Sequence, residues 1–296
     1  HEAFDEVWKK AEDRGIRVSG SELVGLVPLN SLLDAGRYFL RKQKRSIGIS
    51  NDELIKIAVK SMGLDDLYQF NPDEKIIEYV MDKDMKKKGL INLSVNDFMN
   101  ETASESPAPG GGSVSALMGS MGTSLATMVA NLSSHKRGWD EKWEEFSDWA
   151  DKGKVIQESL MKMVDDDTDA FNQILGAFRL PGKTEAERKD KEVAIQEATK
   201  NAILVPFKVM KTCFQAYELI EAMAKMGNPN SVSDAGVGAL AVRSAIKGAW
   251  LNVKINASEF KEKSFIDEIF QEAKQILMDS DVKEAIILKI VEEKIG

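Results

Sequence analysis

Cysteine and histidine are almost missing from this chain. Cys213 is the single cysteine among 296 residues, so no intrachain disulfide exists and stability must come from a packed core. That usage fits a reducing, cytoplasmic setting, and Cys213, among apolar helical neighbours, reads as a buried thiol rather than a nucleophile. The two histidines, His1 and His135, are too few for a histidine-based zinc site, and no CxxC or HExxH pattern joins them. No metal is expected. Uninterrupted apolar runs of membrane-spanning length are also lacking, as is an N-terminal run resembling a signal peptide, so no membrane partner is expected. Nor is there an excess of positive charge: 40 basic residues face 48 acidic ones, a net charge of -8. That balance gives no general attraction to nucleic acid. The densest basic clusters, residues 41–45 and Lys83 to Lys88, read as solvated helix ends or linker.

What is present divides the chain in two. Up to residue 81 the sequence mixes helical periodicity with short strand signals. Phe4 to Asp13 is an amphipathic helix stopped at Gly15, Ile16 to Val18 reads as a strand, and Leu23 to Val27 is a second short apolar run. Helical stripes follow from Asn30 and from Asp52 to Met62. This is α+β material with too few strands to close a sheet, so partners come from elsewhere or are absent. Residues 82–90 read as a linker. From 91 to 296 no period-2 run occurs, and the domain is expected to be all-helical. Ser94 with Asp97 resembles a capping box, Pro206 predicts a kink or break, and Gly227 to Asn230 is a turn. The small-residue stretches 114–132 and 235–251 let backbones approach closely, and a homodimer packed through them is expected.

Three features could carry chemistry. Pro107 to Ser113 stiffens with proline, then opens into Gly110, Gly111 and Gly112 just before a helix. Backbone N–H groups and the positive helix end there suit an anion or carboxylate. A structural glycine turn explains the same residues equally well, and the loop is neither a Walker A motif nor a dinucleotide fingerprint. Second, Asp165, Asp166, Asp167 and Asp169 interrupt an apolar helix. Like charges that close raise a carboxyl pKa toward a range useful for proton transfer, whereas the plain alternative is an exposed acidic ridge. Third, Asn228, Ser233 and Asp234 cluster at a helix start, where capping is the simpler reading. Asn252 and Asn256 share one helix face and could meet a heteroaromatic edge or a partner helix.

These residues, taken together, resemble the formiminotetrahydrofolate cyclodeaminase family. The matching stretches are 104–114, Met128 to Leu132, Val164-Asp165 with Asp167 and Ala170-Phe171, Leu180-Pro181, Val205-Pro206, Gly227-Asn228 with Ser233-Asp234, and Gly248-Ala249 with Asn252 and Asn256. They cover roughly residues 91 to 296. Gly20 to Pro28, Leu32 to Ala35 and Lys75 to Tyr79 are similar to the end of a glutamate formiminotransferase domain, which precedes the cyclodeaminase in bifunctional members. Nothing here matches the transferase histidine, so transferase activity is expected to be absent, with the rest supplied by another part or subunit.

The resemblance implies conversion of 5-formiminotetrahydrofolate to 5,10-methenyltetrahydrofolate with release of ammonia, in histidine breakdown, without a prosthetic group or metal. It makes Asp165 or Asp167 the proton carrier, with His135 as an alternative. It gives Pro109, Gly110, Gly111, Gly112 and Ser113 to the pterin or glutamate end. Asn228, Asp234 and Asn252 add polar contacts, and Lys136 and Arg137 meet the glutamate tail of a substrate that can be polyglutamylated. Methenyltetrahydrofolate cyclohydrolases are similar to the same helical family and stand as the rival activity. A non-catalytic folate-binding or assembly scaffold is the second rival.

Overall fold

The computed structural model of the chain describes residues 1–81 and 89–296. The basic run Lys83 to Lys88 and most of the expected linker lie outside the described residues. Helical periodicity decides nearly every element, and the chain divides into two compact units.

The first unit joins residues 1–81 with 131–151. Its opening helices are α1 (Glu2–Glu12), α2 (Leu29–Lys42), α3 (Asn51–Ser61), α4 (Pro72–Lys75) and α5 (Ile77–Met81). The apolar stripes of α2 and α3 pack as a core: Leu32, Leu33, Ala35 and Phe39 meet Leu54, Ile55, Ala58 and Val59, all buried. Ser50 caps α3 by accepting the Glu53 N–H, and Gly63 ends the segment at φ +61°, a left-handed geometry glycine adopts without strain. The two strand expectations meet a different outcome. Residues 16–18 are irregular, and the 23–27 run makes a single parallel bridge, Val27 to Ile76. A strand needs a neighbour along its length for its backbone groups, and beyond that bridge neither run has one among the described residues. The 131–151 stretch holds this unit by side chain to backbone bonds. Ile47 N–H donates to Ser147 Oγ at 3.0 Å, and Asn131 Nδ2 donates to Gly48 O at 2.8 Å.

The second unit comprises residues 89–130 and 152–296. Its helices are α6 (Val95–Thr102), most of α7 (Gly111–Ser134), most of α8 (Trp143–Phe178), α9 (Glu185–Met226), α10 (Val232–Ala257) and α11 (Lys263–Ile295). Ser94 caps α6 at the Asp97 N–H, and Thr184 with Glu187 forms a full capping box on α9. Pro206 does not end α9, which runs unbroken past it. The small residues expected to permit close packing do so inside the protein. A Cβ on Gly122 would lie 2.8 Å from Gly238 O, so α7 and α10 cross almost backbone to backbone. Ser115 meets Gly248 and Gly111 meets Asn252, so the two helices run antiparallel. Helix α7 is long and apolar enough to span a membrane, yet 61% of that window is buried within the protein. Cys213 is fully buried against Gly119, and burial raises its thiol pKa.

One buried charge escapes a periodicity argument. Arg243 on α10 is 4% exposed and donates to Ser280 Oγ at 2.9 Å and to Asp281 on α11. A guanidinium removed from water is tolerable only when paired in this way, so this contact fixes the register of α11 against α10.

Candidate functional site

Helix α8 brings its acidic run to the start of α7. Val164 is fully buried, which turns Asp167 and Thr168 toward the glycine loop. There Ser113 N–H donates to Asp167 Oδ2 at 2.8 Å, and Ser113 Oγ donates to the same oxygen at 3.0 Å. The Ser113 hydroxyl also lies 2.9 Å from Val164 O and 3.3 Å from Thr168 Oγ1. The other carboxylate oxygen explains the middle glycine. A Cβ on Gly112 would sit 2.0 Å from Asp167 Oδ1. Gly112 is therefore the space that the carboxyl occupies.

A cavity of about 220 Å³ opens beside this pair. Its walls include Pro107 and Gly110 from the loop, Asp167 and Phe171 from α8, and Asn252 and Asn256 from α10. The Ala108–Pro109 bond is cis and Pro109 is buried. Burial pushes the Asp167 carboxyl above the ordinary aspartate range, opposed by the two Ser113 donors. A carboxyl so placed can give and take a proton nearer neutrality than an exposed one. A larger apolar hollow of about 600 Å³, between α6, α7 and α8, is lined among others by Phe98, Met99, Val114 and Met161 and offers little polar chemistry.

Asp165 is placed differently. Its Oδ1 accepts from Leu90 N–H at 2.6 Å, and a Cβ on Gly89 would lie 2.7 Å from Oδ2. Its pKa is raised chiefly by burial, opposed by the Leu90 and Ile91 N–H groups; repulsion from Asp169 and Asp166 is smaller. Burial thus outweighs the like-charge effect that the sequence suggests. Asp166 pairs with Lys162 on the outer face.

The sequence candidates fall into separate places. Pro109, Gly110, Gly111, Gly112, Ser113, Asp165, Asp167 and Asn252 gather at one end of α7. His135, Lys136 and Arg137 follow the C-terminus of α7 and belong to the first unit. His135 Nε2 accepts from Ser46 N–H at 3.2 Å, and Lys136 Nζ sits 4.2 Å from the Trp139 ring centre. Asp234 lies in the first turn of α10, about 27 Å from Asn252 at 1.5 Å per residue. Asn228 caps the short turn before it by accepting from Asn230 N–H. Within one chain, neither Asn228 nor Asp234 lines the cavity. Thr168 and Ala202 line it without having been singled out, beside Phe171 from a family-matching stretch; Thr168 is signalled by its i+4 spacing from Val164, Ala202 only by packing.

Comparison with known proteins divides the chain by sequence, and its second part includes residues 131–151 of the first unit. A sequence model of the formiminotransferase-cyclodeaminase family matches residues 94–275, and one of the formiminotransferase domain matches residues 1–82. The formimidoyltransferase-cyclodeaminase of Rattus norvegicus is 32% identical over 99% of this chain, which spans 54% of that relative. The chain thus spans about half the length of the bifunctional relatives it matches. A methenyltetrahydrofolate cyclohydrolase of Methylorubrum extorquens is 33% identical over 69% of this chain and 99% of its own length. The crystal structure of a formiminotetrahydrofolate cyclodeaminase from Thermotoga maritima superposes with a TM-score of 0.61 at 25% identity, covering 69% of this chain and 98% of that one. An all-helical fold, an aspartate held at a glycine-rich helix start and these matches lead to one conclusion. The chain belongs to the formiminotransferase-cyclodeaminase family.

Proposed function

We propose that this chain is a formiminotetrahydrofolate cyclodeaminase, an ammonia-lyase, and that Asp167 carries its proton. The carrying observation is the Asp167 carboxyl, partly buried and held by Ser113 at the wall of the cavity. In the reaction N10 of the folate attacks the formimino carbon. The N10 proton leaves, the former imino nitrogen gains that proton and one more from solvent, and the C–N bond to it breaks to release ammonia and leave the methenyl cation. Both reacting groups belong to one molecule, so orientation supplies much of the rate. What the protein must add is a group that takes a proton at one nitrogen and returns it at the other. Asp167 has the raised affinity for a proton that this requires. Asp165 serves the reading as a structural anchor for Leu90.

The cyclohydrolase activity is the second reading, favoured by the relative matched over 99% of its length. The formiminotransferase-like residues 1–82 favour the deaminase. Coupled measurement of ammonia and methenyltetrahydrofolate from 5-formiminotetrahydrofolate separates them. Both products from the parent, and neither from Asp167→Asn, support the proposal. No ammonia from a folded parent that hydrolyses methenyltetrahydrofolate overturns it in favour of the rival.

The same reading includes a homodimer. Met121 and Met128 on α7, and Val237 and Leu240 on α10, flank the Gly122–Gly238 crossing as exposed apolar residues. A second copy covering this face would remove it from water.

A further inference from the structure

Pro206 lies inside α9 and has no backbone N–H. In an uninterrupted ladder that N–H would bond the carbonyl of Ala202, four residues earlier. The vacancy is filled from another helix: Asn256 Nδ2 donates to Ala202 O at 2.7 Å. The bond commits the donor end of the Asn256 amide and so decides which end is left. One turn earlier on α10, Asn252 Nδ2 donates to Gly248 O at 3.0 Å. Ala202, Asn252 and Asn256 all line the cavity that holds Asp167. Both amides are therefore oriented by one Nδ2 bond to backbone, which leaves Oδ1 and a second N–H on each. Their Oδ1 atoms take no protein donor among the described residues. The α10 wall offers acceptors, and the first turn of α7, whose Gly111 meets Asn252, borders it with its backbone N–H groups.

We infer that Pro206 fixes Asn256 as an acceptor, which works with Asn252 to recognise the N–H edge of a pterin head group. That edge carries N3–H and the 2-amino group as adjacent donors, with a carbonyl oxygen beside them for the α7 wall. The inference rests on the folate reading above and adds to it the orientation of the substrate. At about 220 Å³ the cavity takes a bicyclic head group, not a whole folate. Selectivity arises because a ligand without the donors leaves two buried acceptors unpaired.

The test is titration calorimetry on the full chain with 6-methyltetrahydropterin and its 2-desamino analogue, which lacks one donor. The parent is expected to prefer the former by about tenfold, one hydrogen bond's worth. Asn256→Leu is expected to lose that preference. Pro206→Ala gives Ala202 O its own helical N–H and frees the Asn256 amide to turn. It is expected to keep or raise the melting temperature, because proline inside a helix is destabilising, while the preference falls several-fold. A merely structural Pro206 would not move the ratio of two ligands. Equal affinity of the parent for both probes, binding of neither, or a preference unchanged in both variants overturns the inference. Ammonia release by the parent, measured alongside, separates the two failures. Turnover without a probe preference removes only this assignment, and a probe preference without turnover removes only the enzymatic reading.

Discussion

Ser113 gives both its backbone N–H and its hydroxyl to one oxygen of Asp167, at 2.8 and 3.0 Å. The carboxyl is thereby oriented, with Oδ1 turned to the space left by Gly112.

Asp167→Asn tests what that placement does. The folded protein holds the Asp167 proton to a higher pH than the unfolded chain, so stability falls as pH rises from about 3.9 through the raised value. At neutral pH the ionised carboxyl is a standing cost. The amide still accepts from Ser113, so the melting temperature is expected to stay level or rise. Turnover is expected to fall by about 100-fold or more, as for loss of a general acid–base group. Asp165→Asn, which loosens the anchor at Leu90, is expected to retain most activity. Steady-state rates and thermal melts of both variants decide it; equal losses in both would remove the distinction.

Adjacent glycines in the loop are not equivalent. A Cβ on Gly110 meets nothing closer than 3.9 Å, whereas one on Gly112 would lie 2.0 Å from Asp167 Oδ1. Gly110→Ala is therefore expected to fold with a stability close to the parent's. Gly112→Ala must displace the carboxyl and is expected to lose roughly 1–3 kcal/mol of stability, the usual cost of overpacking, together with most activity. Urea unfolding of the pair supplies the comparison.

His135 predicts a pH effect on folding rather than on chemistry. Burial, and to a lesser extent Arg45, hold its imidazolium below the ordinary range. Between that depressed value and about 6.5 the unfolded chain binds more protons than the folded one, so stability falls as pH drops through this window and then levels off. In His135→Gln this part of the pH dependence is expected to vanish. Denaturant midpoints at pH 5 to 8 report it, and an identical slope in the variant would sink the assignment.

Met128→Glu with Leu240→Glu places charge on the apolar face beside the α7–α10 crossing. If a second copy covers that face, light scattering will show a dimer for the parent and a monomer for the double variant. A monomeric parent at micromolar concentration would refute the homodimer.

The sequence by itself determined the helices, their caps and the family. Periodic apolar stripes, Ser94 with Asp97, and the run of glycines act over a few residues, where spacing carries the physics. It also placed Asp165 and Asp167 in an acidic run within an apolar helix, but left open which does what. That was decided where Leu90 reaches Asp165 and Ser113 reaches Asp167, contacts spanning 75 and 54 residues. The same holds for the strand signals at 16–18 and 23–27, since a strand exists only if a partner does. Pro206 is the clearest case. Locally it reads as a breaker, because a missing N–H weakens any helix. Only tertiary structure brings Asn256 to the carbonyl left open, and that contact turns a local defect into a fixed wall of the cavity.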